Sequence, residues 1–371
     1  MGNEIENLQG LLKNDPSNFQ ARRELAILLA ENGFNEEALS NLRYLEKYFP
    51  EDADLQYNLG ILYEKTKNPQ EARVAYEKAI EILPQNDFFY NLGEVYVELK
   101  EWDLAIDVFK RVLYTDSTDG NCYFNLGLCY LNKDEKTLAS DNFQKAISLN
   151  PQDLYAHFYL GNIYQDNGLT NFAIDCYNKV LEISPDYSWA YFNIASIAYK
   201  NGNLDEAREY LLKTIYYNDM DIEAYGLLVK ICLQENHTEE IISILATRLK
   251  KEENGDLYYM LARVYKHINL EQEYYSCLKK AMANIYTLTF DKNIVKQEIE
   301  YLEYRLKPES LDEDFKYNEY ESKEEISEEI DDVITDDEED FDEEIDEDEE
   351  ESEDFDEEDF IPESEDDDED V

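Results

Sequence analysis

Residues 53–84 read ADLQYNLGILYEKTKNPQEARVAYEKAIEILP, and the fold prediction starts from this stretch. Its apolar residues recur with a 3.6-residue period in two successive runs, which predicts two amphipathic helices. The small residues Gly60 and Ala72 mark places where the two helices can cross closely, with large residues filling the wider spaces. Pro84 lacks a backbone N–H and restricts the residue before it, so the second helix should end near it. The stretch is therefore predicted to form one helical hairpin.

The same pattern recurs along the chain with a period close to 34 residues. Three phased series carry it: a proline, a small residue that usually follows Leu, and an Ala twelve places later. They are Pro16, Pro50, Pro84, Pro151 and Pro185; Gly60, Gly93, Gly127, Gly161, Ala195 and Ala262; and Ala72, Ala105, Ala139, Ala173 and Ala207. We count repeats that begin near residues 19, 53, 86, 120, 154, 188, 222 and 255. One hairpin cannot bury both its faces, so neighbouring hairpins should stack and both ends should need caps.

This pattern resembles the tetratricopeptide repeat family, whose unit carries Leu-Gly, Tyr, Ala, an aromatic residue or Leu, Ala and Pro at fixed offsets. In the repeat from residue 53 the matching residues are Leu59, Gly60, Tyr63, Ala72, Tyr76, Ala79 and Pro84. The resemblance covers most of residues 19–288 and implies an all-α solenoid, a right-handed superhelix of helical hairpins. It also implies that the first helix of each hairpin lines a concave wall, where the family binds an extended or helical peptide.

Four segments are predicted along the chain. Residues 1–18 form an N-terminal half-repeat or capping helix, residues 19–288 about eight repeats, and residues 289–308 a capping helix that Asp291 can N-cap. Residues 309–371 contain 39 Asp or Glu and two Lys, so they carry −37 of the net charge of −55. Such a tail cannot bury enough apolar surface to offset its self-repulsion and ordering entropy, so we predict that it is disordered.

Aromatic residues occupy the same inner-wall position in most repeats, two places before the Leu of the first helix. Rings there offer contact area at a low entropic cost, which is typical of binding hot spots. The alternative is that they pack between adjacent helices. The Asn residues beside them can bond a ligand backbone or only cap local structure. The candidate groove comprises Tyr57, Asn58, Tyr90, Asn91, Phe124, Asn125, Tyr155, Phe158, Asn162, Trp189, Phe192, Asn193 and Tyr259.

The groove is expected to become basic near its far end, at Lys230, Arg263 and Lys266. Cations on a concave surface attract an acidic peptide, although a solvated face is the simpler alternative. The nearest acidic peptide is the chain's own tail, in which Phe341 and Phe355 stand among carboxylates. We therefore expect the tail to fold back in part over the groove and to compete with clients.

Several classes of function are disfavoured by the sequence. It has no Gly-rich phosphate loop, no Gly-x-Ser-x-Gly and no His-Glu-x-x-His motif, so catalysis is not expected. Five cysteines without Cys-x-x-Cys spacing argue against a zinc site, and no cofactor is expected. A net charge of −55 opposes direct nucleic-acid binding. Without a leader or a run of about 18 apolar residues, the protein is predicted to be cytoplasmic and not membrane-bound.

Two hypotheses of function follow. The first is a non-enzymatic scaffold or adaptor that binds a peptide or helix of a partner protein in the aromatic groove, with the tail tuning access. The alternative is an acidic chaperone-like protein whose tail shields a basic client. Salt separates them, because charge-driven capture by the tail weakens with ionic strength and capture of an apolar ligand does not.

Overall fold

The computed structural model describes residues 2–306, and within them every regular element is helical. The α-helices are α1 (Gly2–Asn14), α2 (Phe19–Glu31), α3 (Asn35–Glu46), α4 (Ala53–Lys65), α5 (Pro69–Ile82), α6 (Asn86–Glu98), α7 (Trp102–Thr115), α8 (Gly120–Asn132), α9 (Lys136–Leu149), α10 (Leu154–Asp166), α11 (Thr170–Ile183), α12 (Ser188–Lys200), α13 (Leu204–Tyr217), α14 (Ile222–Gln234), α15 (Thr238–Lys251), α16 (Gly255–His267), α17 (Glu271–Ala283) and α18 (Lys292–Arg305). A single 3₁₀ turn at Ile285–Thr287 completes the described residues. The predicted acidic tail lies outside them.

The helices belong to two compact units, divided in the sequence between Ile163 and Tyr164. In unit 1, hairpins stack through α3 on α4, α5 on α6 and α7 on α8; in unit 2, through α11 on α12, α13 on α14 and α15 on α16. The first helices of successive hairpins also contact each other, α6 with α8 and α14 with α16. Each unit is a stack of helical hairpins, which confirms the predicted all-α solenoid class.

Most first helices begin where a side chain accepts from their free N–H groups, although α6 and α12 have no such cap. Asp52, Asp119 and Asp221 each precede a first helix, and a carboxylate oxygen of each accepts the N–H three residues later at 3.0, 2.9 and 2.9 Å. A carboxylate at this position also interacts favourably with the helix dipole. The repeat boundaries are thus set by local chemistry as well as by the hydrophobic period.

A residue with a left-handed backbone closes the turn inside every hairpin. Its φ lies between 56° and 78°. In three hairpins it is Gly, as at Gly202, and in five it is not, as at Lys67 and Lys100. The following N–H closes the end of the first helix; in the second hairpin it is that of Asn68, which donates to the Tyr63 carbonyl at 2.8 Å. These eight turns share one geometry, although their sequences share no turn motif.

Small residues in the first helices of unit 1 make room for rings of the second helices. A Cβ on Gly93 would come within 2.5 Å of the Phe109 ring, and one on Gly127 within 2.6 Å of the Phe143 ring. Both rings are fully buried. The Gly and the ring are thus partners in one contact, in which the missing Cβ leaves room for the ring.

Lone helices stand at both ends of the described chain. Helix α1 packs part of one face against the unit 1 core and leaves Leu11 51% exposed. At the other end an Asp291 oxygen accepts the Asn293 N–H at 2.7 Å and caps α18. Val295 and Leu302 of that helix are buried in the unit 2 core. The division of the whole chain into four segments stays a prediction.

Candidate peptide-binding faces

The candidate groove residues lie on the first helices, and we call each set the first-helix face of its unit. In unit 1 the face comprises Tyr57, Asn58, Tyr90, Asn91, Phe124, Asn125, Tyr155, Phe158 and Asn162. In unit 2 it comprises Trp189, Phe192, Asn193, Lys230, Tyr259, Arg263 and Lys266.

Rings of the unit 1 face pack on rings of the same hairpin. The Tyr90 centroid lies 5.8 Å from that of Phe109, in an edge-on arrangement. Tyr57 lies 5.6 Å from Tyr76 and stacks on Phe88 of the next hairpin at 4.5 Å. Tyr57 is only 3% exposed, so its ring serves the core and offers little surface to a ligand. Such contacts favour the packing alternative for these residues.

Asn residues of the unit 1 face connect neighbouring hairpins. The Asn91 side-chain amide donates to the Tyr57 hydroxyl at 3.0 Å, and the Asn125 amide donates to the Tyr90 hydroxyl at 3.3 Å. Burial and the nearby Glu94 carboxylate raise the pKa of the Tyr90 hydroxyl, which therefore remains neutral. These amides are already engaged within the protein.

The hairpin that follows that of Phe124 lacks this Asn amide. Phe124 occupies the position of Tyr57 and Tyr90 in its hairpin and has no hydroxyl to accept a hydrogen bond. The next hairpin carries Tyr159 in the place of the Asn, and the Phe124 and Tyr159 rings lie 6.1 Å apart. A ring contact thus replaces the hydrogen bond where the acceptor is missing.

Asn58 has no such tyrosine in the hairpin before it. Arg23 occupies that place and pairs with Asp52 at 2.6 Å. The Asn58 side chain is 7% exposed, and its Oδ1 atom accepts no hydrogen bond from the described residues. Its burial makes contact with a ligand backbone difficult without a rearrangement.

Exposed rings occur at the start of α10 and of α12. Tyr155 of unit 1 is 44% exposed, while Phe158, one turn later in the same helix, is 5% exposed. In unit 2, Trp189 is 48% exposed and Phe192 is half-buried. The second residue of these first helices is accessible, whereas the fifth mainly packs inward. Asn162 is half-buried, as is Asn193.

Asn193 of unit 2 also contacts a tyrosine of the hairpin before it, but one on the second helix of that hairpin. It forms a side-chain hydrogen bond with Tyr177. Burial raises the pKa of the Tyr177 hydroxyl, and this hydrogen bond opposes part of the rise. The Tyr177 hydroxyl also donates to Gln165 at 3.0 Å. The Asn–Tyr contact between hairpins is therefore present in both units.

The predicted basic end of the groove carries a counter-charge. Glu298 of α18 accepts from Arg263 at 2.8 Å and from Lys266 at 2.9 Å. The Arg263 and Glu298 side chains are 11% and 13% exposed, whereas Lys266 is 45% exposed. The Lys230 ammonium lies 5.5 Å from the centroid of the Tyr199 ring. Lys266 and Lys230 remain accessible enough to act on a ligand.

The segment before α18 covers Tyr259. The Phe290 ring lies 4.5 Å from the Tyr259 ring, which is 7% exposed. Asp256, itself 3% exposed, holds the segment by accepting the Thr289 N–H at 2.7 Å and the Thr289 hydroxyl at 3.0 Å. Tyr259 is therefore a contact site for the chain's own C-terminal segment.

Sequence reasoning missed Glu298 and Phe290 as members of this face. Glu298 follows Val295 by one helical turn, so its position beside the apolar stripe of α18 was a readable signal. The apolar stripe of α18 did not predict that Arg263 and Lys266 of α16 would lie opposite Glu298. Phe290 stands in a connecting segment with no periodicity, and no sequence signal would have placed it.

The described residues hold no group of three or more His, Cys, Asp or Glu side chains placed to bind a metal ion. His157 is buried and lies 3.2 Å from the Pro151 carbonyl, which explains its place in a helix core. All five cysteines are buried and free. Burial raises the pKa of the Cys129 thiol to about 12, so it is a poor nucleophile near neutral pH. No helix in residues 2–306 has the length and apolar content to cross a membrane.

Family models with the description "Tetratricopeptide repeat" match five stretches of the chain. They are residues 23–87, 89–123, 120–153, 154–187 and 176–209. Together they span half of the sequence. No curated protein matches the chain.

Several solved structures are similar over part of the chain. The crystal structure of MamA is 29% identical and covers 43% of this chain and 95% of that chain, with a TM-score of 0.42. YrrB, described as a TPR protein with an unusual peptide-binding site, is 25% identical, with coverage of 49% and 95% and a TM-score of 0.43. The C-terminal part of a TPR repeat-containing protein from Cytophaga hutchinsonii is 18% identical, with coverage of 74% and 98% and a TM-score of 0.49.

Proposed function

The chain belongs to the tetratricopeptide repeat family, and we propose from this premise that it is a non-enzymatic scaffold that holds a peptide or helix of a partner protein. The binding surface in this proposal is the first-helix face of its hairpins. The acidic tail tunes access to that surface. The ligand is a protein segment, with no cofactor, nucleic acid or membrane involved.

The observation that carries the proposal is the exposure of two large rings. Tyr155 and Trp189 are 44% and 48% exposed at the same position of successive first helices. A core of stacked hairpins does not need an aromatic ring there, since the ring of the fifth position already fills the space between helices. Exposed aromatic side chains dominate many binding surfaces because they bury much area at a small entropic cost. Buried members such as Tyr57 and Phe158 then hold the helices that present them.

The test is affinity capture from native lysate with the full chain, followed by direct measurement of binding to the recovered partner. The Tyr155→Ala variant should lower the affinity of a partner that binds the unit 1 face, and the Trp189→Ala variant that of a partner that binds the unit 2 face, each by about ten-fold or more. The controls are Tyr114→Ala and Tyr216→Ala, which remove rings that are 91% and 80% exposed on second helices. Equal losses in all four variants would contradict the proposal.

A second candidate function rests on the charge of the tail. Residues 309–371 hold 39 Asp or Glu, which suits an acidic chaperone-like protein that shields a basic client. Capture by the tail should disappear at about 1 M NaCl, where the Debye length is about 3 Å. Capture by the exposed rings should survive this wash. Loss of every captured protein at high salt would favour this second function.

We also propose a cytoplasmic location. Its support is the state of the five cysteines, all of which are free and buried. Free thiols are typical of proteins in reducing compartments. Alkylation of the thiols in intact cells, before and after denaturation, tests this: the denatured protein should label at all five.

A further inference from the structure

One part of the C-terminal segment already lies on the unit 2 face. Phe290 covers the Tyr259 ring at 4.5 Å, and Glu298 pairs with Arg263 and Lys266 at 2.8 and 2.9 Å. The contact combines a phenyl ring on an aromatic surface with a carboxylate on cations. The first residues after the last hairpin therefore show which side-chain chemistry this face accepts.

The same kinds of group continue along the face, on α14 and α12. The Lys230 ammonium lies 5.5 Å from the centroid of the Tyr199 ring. Lys200, which follows Tyr199 in the sequence, is exposed at the end of α12. Trp189 is 48% exposed and Phe192 is half-buried on the same helix. Beyond the part that Phe290 and Glu298 cover, the face thus carries rings at the start of α12 and cations near its end.

Charge on this face is positive in sum. Lys200 and Lys230 join Arg263 and Lys266, the carboxylates of these first helices are Glu223 and Asp256, and α18 adds Glu298. Glu298 pairs with Arg263 and Lys266, and Asp256 is buried against Thr289. A face with four cations and three carboxylates keeps a positive sum and raises the local concentration of an acidic segment.

The sequence after Leu306 supplies a segment with matching chemistry. Residues 341–361 read FDEEIDEDEEESEDFDEEDFI. They hold 15 carboxylates, three Phe and two Ile, and no Lys or Arg. Phenyl rings among carboxylates are the same combination that Phe290 and Glu298 present to α16.

We propose that residues 341–361 of the same chain dock on the first-helix face of unit 2, with carboxylates on Lys200 and Lys230 and Phe rings against Trp189 and Phe192. This deepens the proposed function, and as a regulatory statement it rests on that function, because the docked segment covers the exposed ring of unit 2. A partner peptide must displace it. The same side chains would then select partners that combine acidic residues with rings.

Chain length permits this contact. The 35 residues from Lys307 to Phe341 can extend to about 120 Å. Successive helices pack about 8–10 Å apart, so α12 lies within that reach. A tethered segment acts at an effective concentration of about 1 mM, so weak contacts suffice to hold it. Exposed ion pairs are individually weak and screened by salt, so the docking should be strong only at low ionic strength.

The experiment uses the full chain and a zero-length carbodiimide cross-linker, which joins a Lys amine to a carboxylate in contact with it. At low salt, peptides with Lys200 and Lys230 should be linked to residues 341–361 about ten-fold more than the controls. The controls are Lys145 and Lys250, which are exposed on second helices. The excess should vanish at about 1 M NaCl. Equal cross-linking of all four lysines would overturn the proposal.

Mixing light and heavy isotope-labelled chains identifies the source of the segment. Links within one chain support the proposal, whereas a majority of mixed links means that a second copy is the occupant and overturns it. This result leaves the peptide-binding function untouched, since that function is measured with a partner. The reverse also holds: a docked segment with no partner at Trp189 would sink the proposed function alone.

Fluorescence gives a second readout. In a Trp102→Phe chain, Trp189 is the sole tryptophan. Acrylamide should quench it about two-fold more in the Lys200→Glu/Lys230→Glu variant, because the repelled segment no longer covers the ring. The matched Lys145→Glu/Lys250→Glu variant has the same net charge and should behave like the parent chain. Equal quenching in all three chains would also overturn the proposal, and circular dichroism verifies that each is folded.

Discussion

Most hairpins of unit 1 fill the space between their two helices with residues different from those that the hairpins of unit 2 use. In three hairpins of unit 1 a Gly of the first helix faces a ring of the second, whereas in unit 2, and in the α2–α3 hairpin of unit 1 with Ala26 and Leu42, an Ala or Val occupies the Gly position and a Leu the ring position. The unit 1 pairs are Gly60 with Tyr76, Gly93 with Phe109, and Gly127 with Phe143. The unit 2 pairs are Ala195 with Leu211, Val229 with Leu245, and Ala262 with Leu278. A larger side chain on one helix goes with a smaller one on the other, so what the fold preserves is the volume between the helices.

The two first-helix faces also differ in charge. Asp87, Glu94 and Glu98 are exposed on α6 of unit 1. Unit 2 carries Lys230 and Lys266 on the corresponding helices α14 and α16. Hairpins of one geometry therefore present surfaces of opposite charge. Because charge on the face does not affect the core, each unit can suit a different ligand without a change of fold.

The largest expected change in the free energy of unfolding comes from placing the Ala of a unit 2 pair at a Gly position of unit 1. Gly93→Ala should lower the free energy of unfolding by about 2 kcal/mol, because its Cβ overlaps the buried Phe109 ring. Gly93→Ala/Phe109→Leu, which recreates the unit 2 pair, should recover about half of that loss. Urea unfolding with hydrogen exchange in α6 and α7 measures both.

The reciprocal exchange in unit 2 is the control. Ala195→Gly/Leu211→Phe should be less damaging than Leu211→Phe alone. If the double variants in both units were as unstable as the sum of their single variants, the volume-sharing interpretation would be wrong.

A smaller effect is expected from the contact between hairpins. Tyr57→Phe removes the hydroxyl that accepts the Asn91 amide at 3.0 Å and should lower the free energy of unfolding by about 1 kcal/mol, since a half-buried donor loses this partner. Tyr57→Phe/Asn91→Tyr recreates the Phe124–Tyr159 pair and should be more stable than Tyr57→Phe/Asn91→Ala. Thermal or urea unfolding checks this order. Tyr216→Phe, on an 80% exposed side chain, should change nothing.

The smallest effect concerns the turns. Lys100 has a φ of 57°, so Lys100→Gly should raise the free energy of unfolding by about 0.5–1 kcal/mol, because Gly adopts this conformation without a Cβ clash. Lys145→Gly makes the same exchange inside α9 and should lower it by about 1 kcal/mol. Gly202→Ala, at a φ of 78°, should also be destabilising. Equal signs for the two Lys→Gly variants would show that backbone strain does not act at Lys100.

Much of the fold could be predicted from the sequence, because helix positions depend on residues that are close together in the chain. The first helices begin at residues 19, 53, 86, 120, 154, 188, 222 and 255, where the sequence repeats begin. Spacing of apolar residues and N-terminal Asp caps act within a few residues of the chain, so one sequence reveals them. The left-handed conformation at Lys67 and Lys100 could not be predicted from the sequence, because it follows from the helices on either side and Lys does not favour it.

The candidate site could be predicted less well, because the exposure of its side chains depends on the neighbouring hairpin. Most first helices carry an aromatic residue at the fifth position, yet Tyr57 is buried while Tyr90 and Phe192 are half-buried. Exposure depends on which side chains the neighbouring hairpin brings alongside, as Asn91 does for Tyr57. Likewise, Arg263 at the basic end pairs with Glu298, which is 35 positions away in the sequence.

The repeated pattern of small and apolar residues was thus sufficient for the hairpins, their number and their order. The packing of one hairpin on the next determined which rings are covered, which amides are engaged and where Glu298 lies. Helix formation depends on contacts within a turn or two of the chain, whereas solvent exposure and charge pairing depend on residues that are distant in sequence and close in space.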